Sequence, residues 1–102
     1  MASKATITVN FNKAINEAKE MKETANTMRK AEQELINTIN RLNSSWKSDS
    51  ANGYLKKCNL LADKINKNAS ELERISTSIH NTAKAYYQAE MKAIETIHRK
   101  SY

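Results

Sequence analysis

At 102 residues and 11.6 kDa the chain makes one domain at most, and a domain this small buries too little surface to be comfortably stable alone, so a partner is expected. The lack of proline and the single glycine exclude turn-rich sandwiches and barrels, while a lone cysteine, Cys58, excludes an intrachain disulfide and a cysteine-rich zinc site. The net charge of +6 raises nucleic acid as a partner, but Lys/Arg against Asp/Glu run eight to six over residues 1–51 and nine to five over 52–102, so bases are interleaved with acids rather than gathered into a phosphate-binding stripe.

Residues 1–6 hold no apolar run that could form a signal-peptide core, and no window approaches the length of a membrane span. The expectation is a soluble chain, cytoplasmic when made, that leaves the cell, if it does, by a route reading no cleavable leader. Ile7, Val9 and Phe11 alternate with polar residues, which predicts a short extended lead-in with Asn10 as the N-cap of the first helix. From Phe11 the apolar residues Ala14, Ala18, Met21, Ala25, Met28, Leu35, Ile39 and Leu42 follow an unbroken 3,4 spacing, the seam of a helix packed lengthwise against another. Only Glu32 violates that stripe. Ala14, Ala18 and Ala25 keep it narrow enough for close approach, Met21 and Met28 fill gaps, and Ile15, Ala31 and Ile36 widen the apolar face. The predicted packing set for the hairpin or a dimer is therefore Ala18, Met21, Ala25, Met28, Leu35 and Ile39.

The run from Asn43 to Ser50 breaks the pattern with side chains that compete for backbone hydrogen bonds, and Ser48 or Asp49 is placed to cap a second helix. Trp46, in that turn, either plugs the open end of a hairpin or joins a recognition surface. The second apolar set runs Ala51, Tyr54, Leu55, Cys58, Leu61, Ala62, Ile65, Ala69, Leu72, Ile75, Ile79, Ala83, Tyr86, Ala89, Ala93, Ile94 and Ile97, helical throughout. Asn52-Gly53 could form a turn, but without flanking alternation Gly53 is read as a small packing residue in the helix.

These elements predict an all-α fold: one domain over 1–102, with a helix over about 11–43, a turn over about 44–48 and a helix over about 49–97, paired as an antiparallel helix-turn-helix hairpin. At 1.5 Å per residue the helices would extend about 50 and about 70 Å, so the second should overhang as a C-terminal arm over about 84–102. A lone hairpin covers only part of each stripe, and a second copy would complete an elongated four-helix bundle, most simply as a two-fold homodimer. Spacing alone lets Tyr86 continue the core stripe, with Tyr87 turned about 100° away. His80 and His98 lie too far apart to pair as ligands, and there is no nucleophile beside a base and no Gly-rich phosphate loop. No enzyme activity, metal or cofactor is expected.

Length, two helices, the mid-chain Trp46-Lys47-Ser48 and the later Tyr86-Tyr87-Gln88-Ala89-Glu90, followed by apolar Ala93 and Ile97, together resemble the Trp-x-Gly (WXG) family of early-secreted-antigenic-target type, exported by type VII secretion systems. The resemblance spans nearly the whole chain, with one departure: Ser48 stands where the motif has glycine. It implies that Tyr86 and Glu90 form a Tyr-x-x-x-Glu secretion signal read by the system's membrane ATPase, and that Trp46 and Ser48 are the turn motif. In an antiparallel dimer that turn would lie near the other copy's Tyr86 and Glu90. It further implies a leaderless secreted protein acting as an effector or export partner, or alternatively as a co-secreted adaptor for a larger toxin. Partners are a second copy of itself or a related small WXG-like chain, the ATPase and such a toxin. Richness in Lys, Asn and Ile with scarce Gly suggests an AT-rich genome, hence a Gram-positive source and a homodimer rather than a two-gene heterodimer. A different class, a basic helical nucleic-acid binder, would need Lys56, Lys57, Lys64, Lys67 and His98-Arg99-Lys100 on one face; these positions partly scatter around the helix, so no specific nucleic acid is expected.

Overall fold

The structure, a computed structural model, describes residues 3–100. It contains two helices, α1 (Lys4–Ser45) and α2 (Asp49–Lys100), with no strand among the described residues. Each start has a local cause. Ser3 caps α1: its hydroxyl accepts the Thr6 N–H at 3.2 Å and its carbonyl accepts the Ile7 N–H at 3.0 Å. The extended lead-in is therefore replaced by helix, and Asn10 lies inside α1 rather than at its cap. The alternation of Ile7, Val9 and Phe11 loses to a competing pattern, because Ile7, Phe11, Ala14 and Ala18 carry the same 4,3,4 spacing one turn further back. Ile7 is buried and Val9 is exposed, as that helical phase requires. The β-branched Thr8 is accommodated by donating its hydroxyl back to the Lys4 carbonyl at 2.9 Å.

α1 ends where Ser44 and Ser45 both donate their hydroxyls to the Arg41 carbonyl, at 2.8 and 3.0 Å, and the Trp46 N–H donates to the Leu42 carbonyl at 2.7 Å. Ser48 then caps α2. Its hydroxyl accepts the Ala51 N–H at 3.1 Å, its carbonyl accepts the Asn52 N–H at 3.0 Å, and Asp49 sets a negative charge in the first turn. Among the described residues none has a positive φ, so the turn is built without a left-handed residue. Gly53 is helical, which removes the Asn52-Gly53 turn, and a Cβ placed there would meet nothing within 4 Å. Its reading as a packing residue is therefore not met by any close neighbour.

The chain forms two compact units, each with segments of both helices: a turn unit, residues 22–73, and a terminal unit, whose described parts are residues 3–21 and 74–100. In the turn unit Ala25, Ile39, Ala51, Leu55, Ala62 and Ala69 are buried, while Met28 and Leu35 are half-buried. Arg29 ties α1 to α2 there: Nε donates to Glu73 Oε1 at 2.7 Å, Nη1 to Asn66 Oδ1 at 2.9 Å and Nη2 to Ser70 Oγ at 3.1 Å. Asn66, Ser70 and Glu73 share one face of α2 by the i, i+4, i+7 rule, so one planar guanidinium reads nearly two turns of the facing helix. Its hydrogen bond holds the Glu73 carboxyl below the ordinary carboxylate range, and Glu73 in turn raises the Arg29 guanidinium. Glu32, the one acid on the seam, is half-buried and its Oε2 has no hydrogen-bond partner among the described residues, but its charge adds to the field favouring Arg29.

In the terminal unit Ile7 and Ala18 are buried and Met21 is half-buried. Ser76, the one buried polar residue among those described, donates its hydroxyl to the Ala18 carbonyl at 2.6 Å. Phe11 packs on Tyr87 with ring centroids 4.4 Å apart. Both pairings join an early position of α1 to a late one of α2, which is the antiparallel arrangement. They also show that α2 is still flanked by α1 at Tyr87, so the part of the expected overhang that contains Tyr86 and Tyr87 is not a bare arm.

Ala25 is fully buried, so Ala25→Glu should cost several kcal/mol and collapse the helical melt, whereas Lys19→Glu on an exposed position should leave it nearly unchanged. Circular dichroism melts decide this. The Arg29–Glu73 pair adds a pH dependence: its contribution is complete above the ordinary carboxylate range and is lost as pH falls through the lowered Glu73 value. Melting temperature followed against pH should therefore drop less steeply on acidification in Glu73→Gln than in the parent.

Candidate functional site

Tyr86 and Glu90, four apart on α2, are both exposed, Tyr86 to 66%. The structure departs from the reading by spacing alone, in which Tyr86 continues the core stripe. Tyr87 faces α1 and stacks on Phe11, while Tyr86 leaves the core stripe and presents its ring outward. The cause is helical phase. The buried and half-buried positions of α2 keep a 4,3 alternation from Ala51 through Ala83, then take consecutive steps of four through Tyr87 to Met91, so the seam passes to Tyr87 instead of Tyr86.

The neighbourhood of these residues is a groove of about 160 Å³ within the terminal unit. α1 lines it with Ile7, Asn10, Phe11 and Ala14, and α2 with Ala83, Tyr86, Tyr87 and Glu90. Each set is one i, i+3, i+4, i+7 face, so the groove is the seam between two regular helices where small residues, Ala14 and Ala83, leave room. The other two α1 contributors, Ile7 and Asn10, read from the sequence as an extended lead-in and an N-cap and not as part of a site. The available signal was Ile7 one heptad before Ala14.

In the turn unit Trp46 is 41% exposed and leans on Tyr54, ring centroids 5.9 Å apart, with Tyr54 itself exposed. Trp46 is thus one half of a partly exposed aromatic pair at the start of α2. Ser48 is the cap described above. Among the packing set, Ala18, Ala25 and Ile39 are buried and Met21, Met28 and Leu35 half-buried, all within one chain. Arg29 and Ser76, the polar ties between the helices, were missed because their residue types read as surface. No group of His, Cys, Asp and Glu among the described residues is arranged to hold a metal, and no helix is long and apolar enough to cross a membrane.

A small all-helical protein with a mid-chain tryptophan turn and an exposed Tyr-x-x-x-Glu is thereby defined. Residues 6–91 match the family WXG100, proteins of 100 residues with WXG, and the chain belongs to that family. At family level this is a small secreted substrate of type VII systems, from a family not known for enzymes, whose members typically self-associate or pair with related chains. No curated protein and no solved structure gives a significant match.

Because the turn contains no positive φ, Ser48 acts through its hydroxyl and not as a stand-in for a left-handed glycine. Ser48→Ala should therefore lower stability by about 1 kcal/mol and Ser48→Gly by only a few tenths, as N-cap substitutions do. Chemical denaturation of the three proteins at equal concentration measures the difference.

Proposed function

We propose that this chain is a substrate of a type VII secretion system, recognised by the system's membrane ATPase through Tyr86 and Glu90, and that it acts after export as an effector or as an export partner. The observation that carries the reading is the division of labour between adjacent tyrosines. Tyr87 is committed to packing on Phe11, which leaves Tyr86 exposed at 66% with Glu90 one turn beyond it on a folded helix. An aromatic ring and a carboxylate held in that relation suit a partner that takes the ring in an apolar cleft and receives the carboxylate with a base.

The same protein self-associates. No large side chain among the described residues is fully buried, and in the turn unit Tyr54, Leu60 and Leu61 are each more than half exposed. Covering that apolar surface with a second copy makes a four-helix bundle from two hairpins. A homodimer is the form that one gene supplies.

The export reading separates two measurements. Tyr86→Ala and Glu90→Ala should each abolish secretion while leaving the melting temperature within about 2 °C of the parent and the mass in light scattering at twice that of the chain, because neither side chain is buried. Tyr87→Ala should do the opposite first, lowering stability by about 3 kcal/mol through loss of an aromatic packed against Phe11. Normal secretion of both Tyr86→Ala and Glu90→Ala would remove the signal assignment.

A further inference from the structure

A Tyr and a Glu four apart on a bare helix are a weak address, since many helices carry such a pair by chance; the groove beside them supplies what the pair lacks. We propose that the recognition element is this two-helix groove, completed by the first turns of α1, and that its occupant is a basic amphipathic segment of the export machinery. One bulky apolar side chain of that segment sits in the groove, with an Arg or Lys within reach of Glu90. This rests on the export reading above and goes further in assigning α1 a part and the partner a chemistry.

The size of the groove selects one side chain. Its volume is about 160 Å³, and an apolar cavity of about 150 Å³ accepts a ring the size of benzene. The walls are apolar and fixed: Ile7 is only 5% exposed, and Phe11 and Tyr87 brace each other at 4.4 Å. The polar groups of the lining residues are the Asn10 amide, the Tyr86 and Tyr87 hydroxyls and the Glu90 carboxylate, and Glu90 alone supplies an acid. The Glu90 carboxylate has no ion pair and no hydrogen bond among the described residues, although the chain as a whole carries a net charge of +6. On so basic a protein an unpaired acid beside an apolar groove marks the place where a cationic segment is attracted instead of repelled. The complement is therefore a segment with a large apolar residue and a base about one turn apart, the mirror of the Tyr86–Glu90 spacing.

α1 is indispensable to this geometry. Had residues 7–11 been extended, Ile7, Asn10 and Phe11 would not share a face, and α2 alone would present Tyr86 over open solvent. Ser3, by capping α1 at Lys4, is what carries the helix far enough back to build the second wall.

The test leaves Tyr86 and Glu90 untouched. Asn10→Lys puts a cation at the groove, where it pairs with Glu90 and repels the incoming base; Ala14→Phe fills the groove from the α1 side; Asn16→Lys adds the same charge at an exposed α1 position outside the groove lining. Secreted fraction in the native system and melting temperature of the purified proteins are measured for each, beside Tyr86→Ala and Glu90→Ala. The proposal expects Asn10→Lys to lower secretion about tenfold or more, with an unchanged melt, and Asn16→Lys to secrete normally. Ala14→Phe should fall with Asn10→Lys; if it unfolds instead, the secretion of Asn10→Lys decides. Normal secretion of Asn10→Lys with Tyr86→Ala and Glu90→Ala still defective overturns the groove and leaves the signal standing. Equal loss in Asn10→Lys and Asn16→Lys also overturns it, since charge alone would then be the cause. Normal secretion of Tyr86→Ala and Glu90→Ala overturns the export reading and the groove with it.

Discussion

Two helices can bury side chains between them only along one line, and here that line is kept by alanine. Ala25, Ala51 and Ala69 lose all of their exposure in the turn unit, and Ala18 nearly all in the terminal unit, so the backbones come close where these residues stand. Other features follow from that closeness. Ser76 can donate to the Ala18 carbonyl at 2.6 Å because no long side chain stands between the helices, and Arg29 can span to three residues of α2. Ile7, Ile39 and Leu55 are buried beside these alanines, while Met21, Met28 and Leu35 are left half covered by a single chain. Stability and association are thus set by one choice of residue size at one periodicity.

That periodicity was legible in the sequence, and it located the α1 seam from Phe11 to Leu42 residue by residue, with the helix break between Asn43 and Ser50. What it could not settle were places where two patterns fitted equally well. Ile7, Val9 and Phe11 satisfy a strand alternation, while Ile7, Phe11 and Ala14 satisfy a helix; the decision came from Ser3, a cap lying before the ambiguous run. At the far end, a 3.5-residue repeat and a 3.6-residue helix drift apart by about 20° per heptad, so over the length of α2 the stripe slides from Tyr86 to Tyr87. An apolar count cannot detect that slide because both residues are tyrosine.

The candidate site was legible as a pair and not as a place. Tyr86 and Glu90 can be found by their spacing, but the wall that α1 contributes depends on where that helix begins, which is a matter of one serine hydroxyl. Ser48 illustrates the converse. A glycine in a named motif suggests a conformation, yet the turn in this chain needs only a capping oxygen, and serine supplies one. The family is therefore compatible with a change of residue that alters the chemistry of the turn while keeping its task.

The pairing of Phe11 with Tyr87 has a consequence for the order in which the chain folds. Contacts such as Trp46 with Tyr54 join residues close in sequence and close early, whereas Phe11 and Tyr87 lie near opposite ends, and the entropy lost in bringing chain segments together grows with the length between them. Loop-closure entropy thus favours the contacts near the turn over those of the groove that holds Tyr86. On the groove reading, a chain clipped near its start carries the tyrosine and the glutamate but not the wall opposite them. The address would then be readable only on an intact molecule, so that quality control is written into the position of the signal itself.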